Sequence, residues 1–401
     1  MENSIDSIDI CIVGASLAGN YLSYLLADSD LEIAIIEEHN EVGLPFQCAG
    51  IVSQKICNLI DIPNEIVLNR VNIAKIVAPN GGFIHLFSNE KPCIIDRIAL
   101  DRLFYEKIKS RKNIHFFFGE KFNSFKYIKK NKKRFLQVFT SKRTFKVKML
   151  VGCDGPLSTV AKSIGRINKN LYAIQIRISG DFDENEATMY FHPKWKELFA
   201  WIVPEGKKIF RIGMACSKNL SKNFQSYIKQ IKLDFRNKID QQGGLIPYGT
   251  MNKLAFNNVL LLGDSGGQVK ATTGGGIINL LIAAKYAANC IKQCVKNDIY
   301  NRKEIKRYYE SPCRTIIGRE LKIHFLIRAV LTRLRNKEFI KLFKIAKESN
   351  VEHLINVYGD MDFPKTFVMK LLRNPSVFLF LTKFILRNPT ILFIILKTLL
   401  K

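Results

Sequence analysis

The stretch from Ile8 to Glu37 leaves this chain the fewest options. The run IDICIVG is short and β-branched and stops at Gly14, and GASLAG leads directly into a helical apolar pattern that lasts to Leu26. A second apolar run, Leu31 to Ile36, ends in Glu37. Strand, glycine turn, helix and strand in that order predict a βαβ unit, because parallel strands need a crossover and a helix supplies it. The same order is a dinucleotide-binding fingerprint. Gly14 makes the turn, N–H groups at the helix start face a pyrophosphate, and Glu37, 37 − 14 = 23 residues after the first glycine, can accept from ribose hydroxyls. Ala18 and Gly19 complete the pattern. Its middle glycine is replaced by Ser16, whose Cβ crowds the backbone approach while its hydroxyl can donate to phosphate instead.

Further corners repeat the theme. Residues 259–281, VLLLGDSGGQVKATTGGGIINLL, read as a buried strand running into Gly263-Asp264 and then Gly274, Gly275 and Gly276, which open a long helix at Ile277. A carboxylate at Asp264 can hold the ribityl hydroxyls of a flavin, and bare glycine backbone lets N–H groups at a helix start approach an anionic ring edge. An ordinary strand–turn–helix corner fits the same residues. The run FKVKMLV delivers a second such corner at Gly152-Cys153-Asp154-Gly155. Asp96-Arg97 opens the helix IDRIALDRLFYEKIKS, where a cation at the first position runs against the helix dipole; a phosphate or carbonyl partner would account for it. The turn-rich segment VGLPFQCAG, residues 42 to 50, sets Cys48 between a proline and a glycine. It reads either as backbone held close to a ligand or as a loop with a buried cysteine.

Residues 113 to 151 read as several short strands, with the basic turn Lys129 to Arg134 as a solvated hairpin tip. From 171 to 216 polar and apolar residues alternate, which predicts a separate antiparallel sheet. Phe199, Trp201, Val203 and Pro204 then form either its core or the wall of a lipid pocket. A helix is expected over 219–242.

The last segment, 363 to 401, holds seven Lys or Arg and no acid, and Leu-Arg-Asn-Pro occurs twice, at 372–375 and 386–389. Ser376 and Thr390, Lys383 and Lys397, and Arg387 and Lys401 fall on one narrow stripe, with apolar residues on the other faces. The uncharged runs are too short for a hydrocarbon layer of roughly 30 Å. Two proline-started helices lying in a membrane interface are expected, with a helical pair packed on the protein's own body as the other solution.

The totals agree with a lipid or phosphate partner. The chain has 62 Lys+Arg against 35 Asp+Glu, a net charge of +27, and its 47% hydrophobic content excludes general disorder. Nucleic acid is not expected, since the basic residues follow the apolar tail rather than a reading motif. Its 401 residues predict two or three domains. Nine scattered cysteines are not a disulfide framework and fit a reducing cytoplasm. The opening MENSIDSIDICIVG carries acids before its apolar run and reads as a first strand, not a signal peptide. No Cys or His pair has zinc spacing, so no metal is expected, and Cys290 with Cys294 read as core thiols.

Taken in order, these residues resemble the geranylgeranyl reductase family of flavoproteins, and within it the archaeal digeranylgeranylglycerophospholipid reductases. GASLAG with Glu37, PFQCAG for the family's PxxCxG, Asp96-Arg97, Asp154-Gly155, Gly263-Asp264 through Gly276, and FAWIVPEG for its YxWxFPxG carry the likeness, which spans nearly the whole chain. It implies an α/β fold, α+β in part: a Rossmann-like FAD domain of the aromatic-hydroxylase and glutathione-reductase type (1–65, 95–165 and 250–300), an antiparallel-sheet substrate domain (66–94 and 166–249) and a basic helical C-terminal region (301–401). It implies FAD, contacted by Gly14, Ser16, Ala18, Gly19, Glu37, Cys48, Ala49, Arg97, Asp154, Gly155, Asp264, Gly274, Gly275, Gly276 and Ile277, and a substrate wall of Phe199, Trp201, Pro204 and Gly206. Cys48 would act at the flavin as proton donor or positioning residue.

The implied reaction is saturation of C=C bonds in the geranylgeranyl chains of archaeal-type phospholipids or prenyl diphosphates. Electrons would come from NAD(P)H, a deazaflavin or ferredoxin. The expected location is the cytoplasm, peripheral at the inner face of the cell membrane. Ser16 and Ala161 beside Lys162 depart from the family pattern. A flavin monooxygenase on a lipophilic substrate and a membrane-attached electron-transfer module are the rival readings.

Overall fold

The computed structural model of the chain describes residues 8–87, 90–130 and 133–399. Residues 1–7 of the opening segment, 131 and 132 in the basic hairpin, and Lys401 of the tail stripe lie outside the described residues.

The opening βαβ unit forms as its pattern dictates. Strands Ile10–Val13 and Ile33–Ile36 pair in parallel, with helix Leu17–Leu26 crossing between them. The sheet runs, from one edge, Ala255–Phe256, Val259–Leu261, Met149–Gly152, Ile10–Val13, Ile33–Ile36 and Ile114–Phe117. All neighbours are parallel except the first pair. Its central strands are buried throughout, as unbroken apolar runs covered on both faces require. Helix Leu17–Leu26 packs against both Arg97–Ile108 and Ile277–Asn297. A three-stranded antiparallel meander, Phe122–Lys130, Lys133–Thr140 and Thr144–Val147, adds Leu136, Val138 and Val147 to the same core. Because strands 259–261, 149–152 and 10–13 are neighbours, their three glycine corners open side by side at the C-terminal ends of the strands, where such sheets bind ligands.

The second sheet has seven strands in the order Lys238–Pro247, Asn170–Ser179, Ile209–Cys216, Ala200–Gly206, Glu186–Tyr190, Ile73–Val77 and Phe83–Phe87. It is mixed rather than wholly antiparallel, because Ile73–Val77 arrives from an earlier part of the chain and pairs in parallel with Glu186–Tyr190. Period two sorts its side chains. Ala200 and Ile202 join Phe224, Tyr227 and Ile228 of helix Leu220–Gln230 on one face, while Trp201 and Val203 join Ala49 and Ile51 on the other. The helix expected over 219–242 is shorter. It ends at Gln230, Lys232 turns left-handed with φ 53, and Lys238–Pro247 is an edge strand whose Gly243-Gly244 pair suits a sheet better than a helix.

The C-terminal region is helical. Pro375–Leu386 and Pro389–Leu399 begin at their prolines, and Asn374 Oδ1 accepts from Ser376 N at 3.1 Å and Val377 N at 3.2 Å. The pair bends by 103°, and no single described helix is long and apolar enough to cross a membrane. One face of the pair packs on the protein's own body and another is exposed. Phe380, Phe384 and Ile391 pack with Leu334 and Phe339, whereas Phe378, Leu386 and Phe393 remain 56%, 77% and 65% exposed.

Candidate functional site

The first corner is built so tightly that its glycines are obligatory. Gly14 has φ +104, and a Cβ there would lie 2.5 Å from the Cys153 carbonyl oxygen; a Cβ on Gly19 would lie 2.0 Å from the Gly14 oxygen. Ala15 N donates to Glu37 Oε2 at 2.7 Å, and Glu37 Oε1 accepts from His39 N at 2.9 Å. Ser16 stands exposed at the N-cap of helix Leu17–Leu26 and makes no side-chain cap bond, so its hydroxyl is open to an anion, while the Leu17 N–H donates to the Asp101 carboxylate. Ala18 is buried and faces Gly263 of the neighbouring corner, where an added Cβ would lie 3.7 Å from its own.

Asp154 sits at the second corner and has a local task. Its carboxylate accepts from Ser158 Oγ at 2.5 Å and from Val160 N at 3.0 Å, organising the start of helix Thr159–Ser163. Burial pushes its carboxyl up, and these bonds draw it back only in part. Beside it, Gly155 has φ +71 with open space where a Cβ would project.

At the third corner, Asp264 Oδ1 would lie 3.3 Å from a Cβ on Gly276, at the start of helix Ile277–Asn297, which has no side-chain cap. Residues 272 to 277 are all half-exposed. Burial lifts the Asp264 carboxyl to about 6 against the pull of Arg97. Arg97 has an anionic partner in its own helix. Its Nη2 donates to Asp101 Oδ1 at 2.7 Å, one turn along the same helix. Burial opposes its charge, yet Asp101, with Cys48 and Asp264 adding to it, holds the guanidinium above its ordinary value. Its Nε is buried with no partner. An unsatisfied donor of this kind is costly unless a ligand meets it.

The Cys48 loop is tied to the second sheet. Cys48 is half-exposed, and its Sγ accepts from Gly50 N at 3.3 Å. The Cys48 carbonyl accepts from Gln175 Nε2 at 3.2 Å, and Gln175 Oε1 accepts from Trp201 Nε1 at 2.9 Å. Ala49 O accepts from Arg211 Nη1 at 3.0 Å, while Arg211 Nε donates to Glu205 Oε2 at 2.8 Å and its guanidinium lies 5.1 Å from the Phe46 ring centroid. Phe199 and Trp201 meet edge-to-face at 6.5 Å on the side facing Ala49. Pro204 and Gly206 lie at the end of the same strand. The Pro204 carbonyl accepts from Asn69 at 3.2 Å, and a Cβ on Gly206 would lie 3.1 Å from Leu68 O, so both shape the strand's end against Val67–Arg70.

Gln175, Arg211 and Gly213 carry this arrangement without belonging to any motif. Gly213 pairs across from Trp201, and a Cβ there would lie 2.5 Å from the indole. A lone glycine inside the strand run IFRIGMAC is the signal that could have found it.

The loop between Asp264 and Gly276 rests on C-terminal groups. Lys270 Nζ donates to Asp362 Oδ1 at 2.5 Å, and both side chains are buried. His324 Nε2 lies 3.1 Å from the Asp362 carbonyl and Nδ1 2.5 Å from Thr272 Oγ1. A carbonyl only accepts, so Nε2 carries the proton and Nδ1 accepts from Thr272. Burial lowers His324 from 6.5 to about 4. The unfolded chain therefore takes up this proton first, and the stability that neutral His324 contributes is lost as pH falls from 6.5 toward 4. The stability difference between wild type and His324→Gln should shrink by about 3 kcal/mol between pH 7 and pH 4. Urea unfolding at each pH reads it, and Asp264 cancels because both proteins contain it.

Among the described residues no cluster of His, Cys, Asp or Glu could hold a metal ion. Cys290 and Cys294 lie 4.0 Å apart, both buried in the core.

A parallel sheet with adjoining glycine corners, an open Ser16 hydroxyl at a helix start and an orphaned Arg97 donor define a dinucleotide-binding flavoprotein fold. The model of the FAD binding domain matches residues 7–242, and the chain belongs to that family, with FAD as its cofactor. An uncharacterized protein of Methanocaldococcus jannaschii is 27% identical over 391 residues, covering 92% of this chain and 96% of its own. The digeranylgeranylglycerophospholipid reductase 1 of Methanococcoides burtonii is 24% identical over 358 residues, 84% and 87% of the two chains. The crystal structure of a geranylgeranyl bacteriochlorophyll reductase-like protein from Thermoplasma acidophilum superposes with a TM-score of 0.81 at 20% identity, covering 94% of this chain and 99% of that one.

Proposed function

We propose that this flavoprotein is a reductase that saturates C=C bonds in the geranylgeranyl chains of isoprenoid phospholipids or related prenyl compounds. The names of its full-length archaeal relatives support the reading. The observation that carries it is the hydrogen-bonded line from Trp201 through Gln175 to the Cys48 carbonyl, which joins an apolar aromatic wall to the loop beside the cofactor corner.

The Ser16 hydroxyl, the Glu37 carboxylate, the free Arg97 Nε, Asp264 and the half-exposed backbone of Gly274 to Ile277 would hold FAD. When bound and reduced it supplies hydride. An unactivated alkene accepts hydride poorly, so a proton must lead and positive character must develop on carbon. The faces of Trp201 and Phe199 are placed to stabilise that charge while excluding water. Cys48, half-exposed and oriented by Gly50 N–H, is the candidate proton donor. The protein should therefore reoxidise when a digeranylgeranyl phospholipid is added to the dithionite-reduced, FAD-loaded form without oxygen; flavin absorbance that does not return would overturn the reading.

The tail supplies contact with a membrane surface in this proposal, and the site of action is the inner face of the cell membrane. Seven basic residues and no acid accompany the exposed Phe378, Leu386 and Phe393. Several such cations near an anionic surface contribute on the order of 1 kcal/mol each. The full chain is expected to float with vesicles containing anionic lipid, and Phe378→Ser/Leu386→Ser/Phe393→Ser is expected to stay below. Deleting the whole tail is a poorer test, because it would also uncover Leu334 and Phe339.

A further inference from the structure

We propose that Arg328 is a positioning residue of the cofactor site: from a helix outside the Rossmann-like domain it fixes the glycine turn 270–276 from beneath, and FAD binding depends on it. The inference rests on FAD lying against this turn, not on what the enzyme reduces.

The turn closes on itself with only two backbone bonds, Lys270 N to Gly275 O at 3.0 Å and Gly274 N to Lys270 O at 2.8 Å. Gly274 takes φ +73, a conformation that glycine adopts without strain and that leaves the segment loose unless something holds it. Arg328, on helix Arg319–Leu331, supplies that hold. Its Nε donates to Ala271 O at 3.0 Å and its Nη2 to Thr272 O at 2.5 Å, while Nη1 reaches Lys196 O at 3.2 Å, before the strand that carries Trp201.

The side chain is 0% exposed, and its hydrogen-bond partners are three carbonyl oxygens, with no carboxylate among them. Burial pulls the guanidinium down to about 10 against the opposing pull of Tyr248 and Glu197, neither of which hydrogen-bonds it, so it stays charged at neutral pH. Burying a cation without a paired anion costs several kcal/mol, and packing alone would be served better by leucine or methionine. What a guanidinium adds is a rigid planar fork that fixes several acceptors at once.

The neighbouring groups make the same turn exacting. The Lys270 side chain passes directly under Gly275, where a Cβ would lie 2.9 Å from Lys270 Cε, and a Cβ on Gly274 would lie 3.2 Å from Ile246 of the substrate sheet. The turn is thus wedged between Arg328 and His324 below and the sheet to one side. Residues 272 to 277 are left half-exposed.

The test compares full-length wild type, Arg328→Met and Arg328→Lys, without any lipid substrate. Amide hydrogen exchange in the FAD-free protein reads the turn, and FAD fluorescence quenching reads affinity. Arg328→Met is expected to speed exchange at Gly274 and Gly275 at least tenfold relative to strand Ile209–Cys216, and to weaken FAD binding at least tenfold. Arg328→Lys keeps a cation and most of the stem but reaches fewer carbonyls, so it is expected to recover the affinity only in part. It remains informative if the methionine variant fails to fold. Unchanged exchange in the turn would overturn the proposal, and so would a loosened turn with FAD affinity within twofold of wild type.

Discussion

Alanine at Gly14 is expected to give a protein that keeps its second sheet but loses FAD affinity by at least tenfold. The added Cβ would lie 2.5 Å from Cys153 O, a backbone atom on the adjoining strand end that cannot swing away, and φ +104 is strained for any L side chain. Strain and overlap together cost roughly 2–4 kcal/mol unless the two corners separate. Separation moves the helix start at Ser16 away from the Asp154 corner, which is where the loss of binding comes from. Quenching of FAD fluorescence on titration measures it, with circular dichroism to establish that the variant is folded. Wild-type affinity would mean that the corner is not the phosphate cradle.

Replacing Arg211 with methionine is expected to destabilise the protein by about 3 kcal/mol and to detach the Cys48 loop. Removing one partner of a buried ion pair typically costs 3–5 kcal/mol, because the other charge is left buried. Here Glu205 retains Arg177, whose Nη2 donates to it at 2.7 Å, so the lower end applies. The carbonyls of Ala49 and Ile95 lose their donor, and a Cβ on Gly50 would lie 2.0 Å from Arg211 Nη1, which shows how closely the loop wraps this side chain. Arg211→Lys is not expected to rescue, since one ammonium cannot reach Glu205 and both carbonyls together. Urea unfolding measures the stability, and alkylation of Cys48, expected to quicken in the variant, measures the loop.

How much of this was legible follows from how local each signal is. The glycine corners at Gly14, Gly155, Gly263 and Gly274 could be read directly, because a turn with positive φ selects glycine within a few residues of the strand that feeds it. The parallel sheet followed from them. The tail's proline-started helices were legible for a similar reason. Gln175, Arg211, Lys270 and Arg328 were not. Each acts on a segment far along the chain, so Arg211 in IFRIGMAC looks like a polar position on a strand and Arg328 in LKIHFLIRAV like a solvated face. The helix expected over 219–242 was overextended because the polar run KIDQQGG carries no strong alternation, and its edge pairing with Asn170–Ser179 is a tertiary contact. For Arg97 the sequence points to a phosphate or carbonyl partner, and the structure adds an ion pair with Asp101 one turn along the same helix.

The most direct measurement is mass spectrometry of a digeranylgeranyl phospholipid after incubation with FAD-loaded, dithionite-reduced protein under anaerobic conditions. Each saturated C=C bond adds two hydrogens, so a ladder of products rising in two-dalton steps is predicted, and it should disappear with Trp201→Ala while FAD remains bound. Unaltered lipid from a fully reduced protein, or a sixteen-dalton product appearing only when oxygen is admitted, would contradict the account.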